Sequence, residues 1–169
     1  MDTKISFSEM DNILSSRQAG PFLSRLEEYE DNELRIVIMG AKTVEHADSD
    51  ASSDEGEKGI LARILSQCRQ IAPDCSLSFE IVFEDYIIYQ VRRESFCSYD
   101  PEEIRSGKFL IVFEKSKLLD YLTVSTDACR LDDGSFYPAE WKHYGIYTQN
   151  HVIDVVSQCE PKVLRLTQD

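Results

Sequence analysis

Three histidines, five cysteines and the adjacent pair Arg92-Arg93 carry most of the reactive chemistry in this chain of 169 residues. His143 and His151 lie close together near the C-terminus, with Asp154 three residues beyond the second. Two imidazoles and a carboxylate form a ligand set for several divalent metals. The spacing H-x7-H-x2-D matches neither a helix face nor a strand face, so no single element aligns the three, and no metal site or cofactor is expected. A nucleophilic set can be drafted from Cys97 with His143 or His151 and Asp154, since such triads assemble in space rather than in sequence. Cys97 sits in "ESFCSYD", where only Arg92 and Arg93 are at hand to lower a thiol pKa. A free, buried cysteine is the expectation, and no catalytic residue is assigned.

Other chemical signatures are missing from the sequence. No C-x2-C pair, G-x-S-x-G elbow, phosphate-binding G-x-x-x-x-G-K-[ST] loop or G-x-G-x-x-G run occurs. Asp48, Asp50 and Ser52 begin like a calcium loop, but Ser53 stands where the sharp turn needs glycine and Gly59 where a bidentate glutamate is needed. In the run "YIIYQVRR" a strand places Arg92 on one face with Tyr86, Ile88 and Gln90, and Arg93 on the other with Ile87, Tyr89 and Val91. Each arginine is suited to pair with Glu94 or with an acid on a neighbouring strand. The functional alternative is a small-ligand-binding protein or an enzyme that uses a cleft at the end of the sheet, built from Arg92, Arg93, His143, His151 and Asp154.

Charge points elsewhere. The net charge of −13 repels phosphate backbones and anionic lipid surfaces, so neither a nucleic acid nor a membrane is expected as partner. It attracts a basic protein and speeds the encounter. Six of the acids fall between Glu45 and Glu57, in "EHADSDASSDEGE", which lacks lysine, arginine and large apolar residues and is expected to be a mobile surface loop. The expected contact residues are Glu45, Asp48, Asp50, Asp54, Glu55 and Glu57, joined by Asp132 and Asp133, with Tyr137 or Trp141 as an aromatic anchor. The first reading is thus a non-enzymatic acidic binding protein.

These residues need elements to hold them. Hydrophobic residues make up 42% of the chain and charged ones 29%, the balance of a globular protein, and residues 1–169 are read as a single domain. The N-terminus lacks the apolar stretch of a signal peptide and no run is long enough to span a bilayer, which predicts a cytoplasmic protein. Met10, Ile13 and Leu14 predict a short helix capped by Ser8, and Phe22, Leu23 and Leu26 a second helical turn. "LRIVIMG" reads as a strand buried on both faces, 57–70 as a helix, Pro73-Asp74 as a turn, and "LSFEIVF" and "FLIVF" as strands. Glu84-Asp85 is read as a tight turn or a bend in one continuous strand. Ser116 is a fitting N-cap for "KLLDYLTVST", Asp133-Gly134 marks a turn, and at least two of the last three apolar segments are strands. The sum is an α+β domain, a mostly antiparallel sheet with several short helices packed on it.

The segments "FEDYIIYQVRRESF", "SKLLDYLTVST" and "HYGIYTQNHVIDVVSQCEP" resemble a group of small single-domain bacterial proteins without an assigned activity, similar in size and charge to the immunity proteins that accompany toxins. The resemblance implies a bacterial cytosolic protein, an immunity-type inhibitor being one concrete form of the binding role.

Overall fold

The computed structural model describes residues 2–29, 32–44, 70–98 and 100–167. The acidic 45–57 segment and the helix expected over 57–70, apart from Gln70, lie outside the described residues. Of the described residues 55% are strand and 16% helical. They form β1 (Thr3–Ile5), α1 (Phe7–Ser15), β2 (Phe22–Tyr29), β3 (Glu33–Val44), β4 (Gln70–Phe83), β5 (Tyr86–Arg93), β6 (Ile104–Ser106), β7 (Leu110–Lys115), α2 (Lys117–Ser125), β8 (Cys129–Arg130), β9 (Phe136–Tyr137), β10 (Lys142–Tyr147), β11 (His151–Ser157) and β12 (Lys162–Leu166). One five-stranded sheet has the order β1-β12-β4-β3-β2, the other β5-β11-β10-β7-β6, and β8-β9 is a small hairpin. Every pairing is antiparallel.

This corrects the α+β expectation. The chain is mostly sheet, with two α-helices and three sheets among the described residues rather than one sheet carrying several helices. The physical reason is visible at β2. A register shift between Leu23 and Arg25 inserts a bulge, which breaks the two-residue alternation and leaves Phe22, Leu23 and Leu26 at a spacing that mimics a helical turn. Pro73-Asp74 is likewise no turn, because β4 runs through it. Among the described residues β12 pairs only with Ser78–Val82, so β4 has no second neighbour at Pro73, and a strand edge is where a sheet tolerates proline. β3 alternates fully buried Leu34, Ile36 and Ile38 with half-buried Arg35, Val37 and Met39, so it is buried on one face and not on both.

The two sheets meet face to face over one core. Ile36, Ile38, Phe79, Ile81 and Phe83 from the first sheet pack with Leu110, Tyr144, Ile146, Ile153 and Val155 from the second. β4 and β12 lie side by side in the first sheet, and their continuations β5 and β11 lie side by side in the second. The chain thus makes an antiparallel ribbon that bends from one sheet into the other, at Glu84-Asp85 and at Gln158–Pro161. Asp85 takes the left-handed conformation (φ 53°) that aspartate tolerates better than most residues. Ser157 Oγ donates to the Glu84 carbonyl at 3.1 Å and Lys162 pairs with Glu84, which pins the corner.

α1 closes one side. Ser6, two residues before the expected cap, accepts from Glu9 N at 3.1 Å while the Glu9 carboxylate accepts from Ser6 N at 2.7 Å, a reciprocal capping box. Phe7, Met10 and Leu14 turn into the core, and with them Asp11. Its two oxygens accept from the backbone N–H groups of Lys108, Phe109 and Leu110 at 3.0, 2.8 and 2.8 Å. That carboxylate ties the helix to the start of β7. Gly107 just before it has φ 101°, and a Cβ there would meet the Leu110 carbonyl oxygen at 2.0 Å, so the turn requires glycine.

Candidate functional site

The outer face of the second sheet carries two features, a buried polar cluster and an exposed unit of acids and apolar side chains. The cluster follows from the β10-β11 hairpin. Its register sets Gly145 opposite Asp154 and His143 opposite Val156, so His143 and Asp154 are diagonal neighbours on one face. His143 Nε2 lies 3.1 Å from Asp154 Oδ1, and His143 Nδ1 lies 2.8 Å from Ser116 Oγ. Arg92 Nη2 and Nε donate to Asp154 Oδ2 at 2.7 and 3.1 Å, and Gln90 Nε2 donates to it at 3.1 Å. Phe113 stacks on the His143 ring at 4.1 Å between centroids. Gly145 makes room for the Phe113 ring, since a Cβ there would come within 2.8 Å of it. Burial by itself would raise the Asp154 carboxyl, but the His143 and Arg92 interactions outweigh it and hold the group below the ordinary carboxylate range.

Serine, histidine and aspartate in one hydrogen-bonded chain invite comparison with a hydrolytic triad, and the geometry argues for a structural chain instead. In a triad the carboxylate orients Nδ1 and the hydroxyl faces Nε2. Here the two ring nitrogens are exchanged. Ser116 Oγ also accepts from Leu119 N at 3.2 Å as the N-cap of α2. Ser116, His143 and Asp154 are 2%, 2% and 1% exposed, so solvent does not reach the hydroxyl. A cavity of about 300 Å3 touches the same face at Tyr147 and Val152 but is lined by none of the three. Such a chain anchors the first turn of α2 to β10 and β11.

The exposed unit lies beyond. α2 and the 126–141 segment share a small apolar cluster of Leu118, Leu122, Ala128 and Val156, with Ile87, Ile88, Leu119 and Trp141 against it. Turned away from that cluster, Tyr121, Val124, Leu131 and Tyr137 are 57%, 84%, 48% and 55% exposed. Asp120, Asp127, Asp132, Asp133 and Glu140 are exposed on the same unit, against the cations Lys117 and Arg130. Lys117 is engaged with Asp100 at 2.9 Å, and the Arg130 guanidinium stands over Phe136. Asp133 Oδ1 accepts from the Ser135 hydroxyl at 2.6 Å and from its N–H at 2.9 Å, bonds that hold the carboxyl below its usual range.

Of the five cleft residues, Arg92, His143 and Asp154 come together. Arg93 and His151 are cross-strand partners on the other face of β5 and β11, where the Arg93 guanidinium lies over Phe96 and the buried His151 Nδ1 has no hydrogen bond among the described residues. Cys97 Sγ contacts the Arg93 carbonyl at 3.6 Å and takes no part in the cluster. Among the contact residues, Asp132, Asp133 and Tyr137 are exposed, whereas Trp141 is half-buried, edge-on to Phe136. Glu45, Asp48, Asp50, Asp54, Glu55 and Glu57 are outside the described residues. Sequence reasoning missed Ser116 and Gln90 as members of the cluster. Gln90 shares a strand face with Arg92, which is the signal that marks it. Ser116 enters only through the fold.

Among the described residues no group of three or more His, Cys, Asp or Glu is placed to hold a metal, and no helix is long and apolar enough to cross a membrane. Comparison of the chain with family models, curated proteins and solved structures gives no match.

Proposed function

We propose that this chain is a non-enzymatic binding protein whose acidic surface docks a basic protein partner, with an immunity-type inhibitor as one concrete form. The observation that carries the reading is the α2 and 126–141 unit, where exposed Tyr121, Val124, Leu131 and Tyr137 stand among five carboxylates. Tyrosines supply binding energy when a partner covers them, while surrounding charges set the on-rate and its salt dependence. The net charge of −13 favours a basic partner and disfavours a nucleic acid. A cytoplasmic location belongs to the same proposal, supported by Cys97, Cys129 and Cys159, which are free thiols among the described residues.

The test is capture from the source cells with the full chain and with a Tyr121→Ser/Tyr137→Ser variant, each at low and high salt. A basic protein retained at low salt, released at high salt and bound at least about tenfold more weakly by the variant is the expected result. Equal retention by a variant that melts at an unchanged temperature overturns this surface as the binding site.

A further inference from the structure

The gap between the two sheets is incompletely filled on the side where β1 and α1 enter. A cavity of about 860 Å3 opens there, within the range that holds a drug-sized ligand. Ile5, Phe7, Leu110 and Val112 give it an apolar wall, and Lys4 and Lys142 stand among its polar lining. Its acids are already committed. Glu9 closes the capping box, Asp11 holds three backbone N–H groups, and Glu160 pairs with Lys142 at 3.1 Å. Lys4 makes no ion pair among the described residues.

Tyr144 supplies the second observation. It is 3% exposed and lines the cavity, yet its hydroxyl makes no hydrogen bond within the described structure. The hydroxyl is therefore free to donate to a molecule in the cavity. Burial foremost, then the neighbouring Glu160 and Cys159, push its phenol up to about 12, so it remains an O–H donor through neutral pH. Lys142 lies two residues away on the same face of β10. One free phenolic donor beside lysines suits a singly charged acceptor, whereas a phosphate would leave most of its oxygens unsatisfied.

We propose that this cavity binds a small amphipathic carboxylate, with its hydrocarbon body on Ile5, Phe7, Leu110 and Val112 and its head accepting from Tyr144 beside Lys4 and Lys142. The site is separate from the acidic surface, and either can fail without the other.

The experiment is a methyl NMR titration of the full chain with decanoate, and in parallel with 1-decanol. Expected are saturable shifts at Ile5, Leu110 and Val112, weaker binding of the alcohol, and about five- to tenfold weaker decanoate binding in the isosteric Tyr144→Phe variant. Lys4→Ala, a surface change that leaves the core intact, should weaken decanoate and leave decanol unchanged. Absence of shifts up to about 5 mM decanoate, or equal affinity in Tyr144→Phe and Lys4→Ala, overturns the proposal.

Discussion

Asp154 is a carboxylate almost wholly removed from water that meets His143, Arg92 and Gln90 at once. Its value lies less in the net strength of the pair than in what its loss would leave behind, because breaking a buried pair strands its partners. Asp154→Ala is therefore expected to lower unfolding free energy by about 3–5 kcal/mol in a urea titration. The pH dependence has a definite sign. The carboxyl titrates below its ordinary 3.8 in the fold, so its contribution is complete above that ordinary value and is lost as pH falls through the folded one. The stability gap between the native chain and Asp154→Asn should accordingly narrow below about pH 4. A gap that widened on acidification would show that the fold does not favour the ionised carboxylate.

At the scale of elements, the two α-helices among the described residues begin on serines that do different amounts. Ser6 closes an exposed capping box at the start of α1, and Ser116 caps α2 while also holding the buried Nδ1 of His143. Ser6→Ala should cost about 1 kcal/mol, the usual effect of a lost cap. Ser116→Ala should cost about 2–3 kcal/mol, because a buried ring nitrogen then loses its partner as well. Chemical denaturation of the two variants side by side decides this. Equal losses would mean that the Ser116–His143 contact contributes nothing beyond the cap. The bent ribbon makes a related point, since the irregularity at Glu84-Asp85 lets one run of chain serve two sheets.

For the whole molecule, a charge of −13 is a burden on a compact fold through self-repulsion. The exposed lysine pairs, such as Lys115–Glu102 and Lys142–Glu160, return little of it because solvent screens them. Added sodium chloride should therefore raise the melting temperature of the isolated chain, since screening relieves repulsion more than it weakens these pairs. A thermal scan from about 0.02 to about 0.5 M salt checks this, and a falling melting temperature would give the surface ion pairs the larger share. The same salt series should release a basic partner, so stability and binding are expected to move in opposite directions.

Local patterns settled what depends on neighbours in sequence. The alternation of Leu77, Phe79, Ile81 and Phe83 reads as a strand, Ser116 reads as a cap, Asp133-Gly134 reads as a turn, and the acidity of the surface follows from composition alone. Alternation states which side chains share a face but not which sheet the face belongs to. The passage of the chain from one sheet to the other at Glu84-Asp85 was therefore not legible, and a bulged β2 passed for a helical turn. The meeting of His143, Asp154, Arg92 and Ser116 was only partly readable, because H-x7-H-x2-D has no meaning along a chain. It gains one once a hairpin register folds residue 143 back beside 154 and a helix start is packed on both. Tyr144 alternates like any core residue, and only the imperfect closure of two sheets around α1 leaves its hydroxyl facing a cavity. Short-range sterics and hydration act within a few residues, whereas registers, sheet partners and gaps are set by packing between segments tens of residues apart.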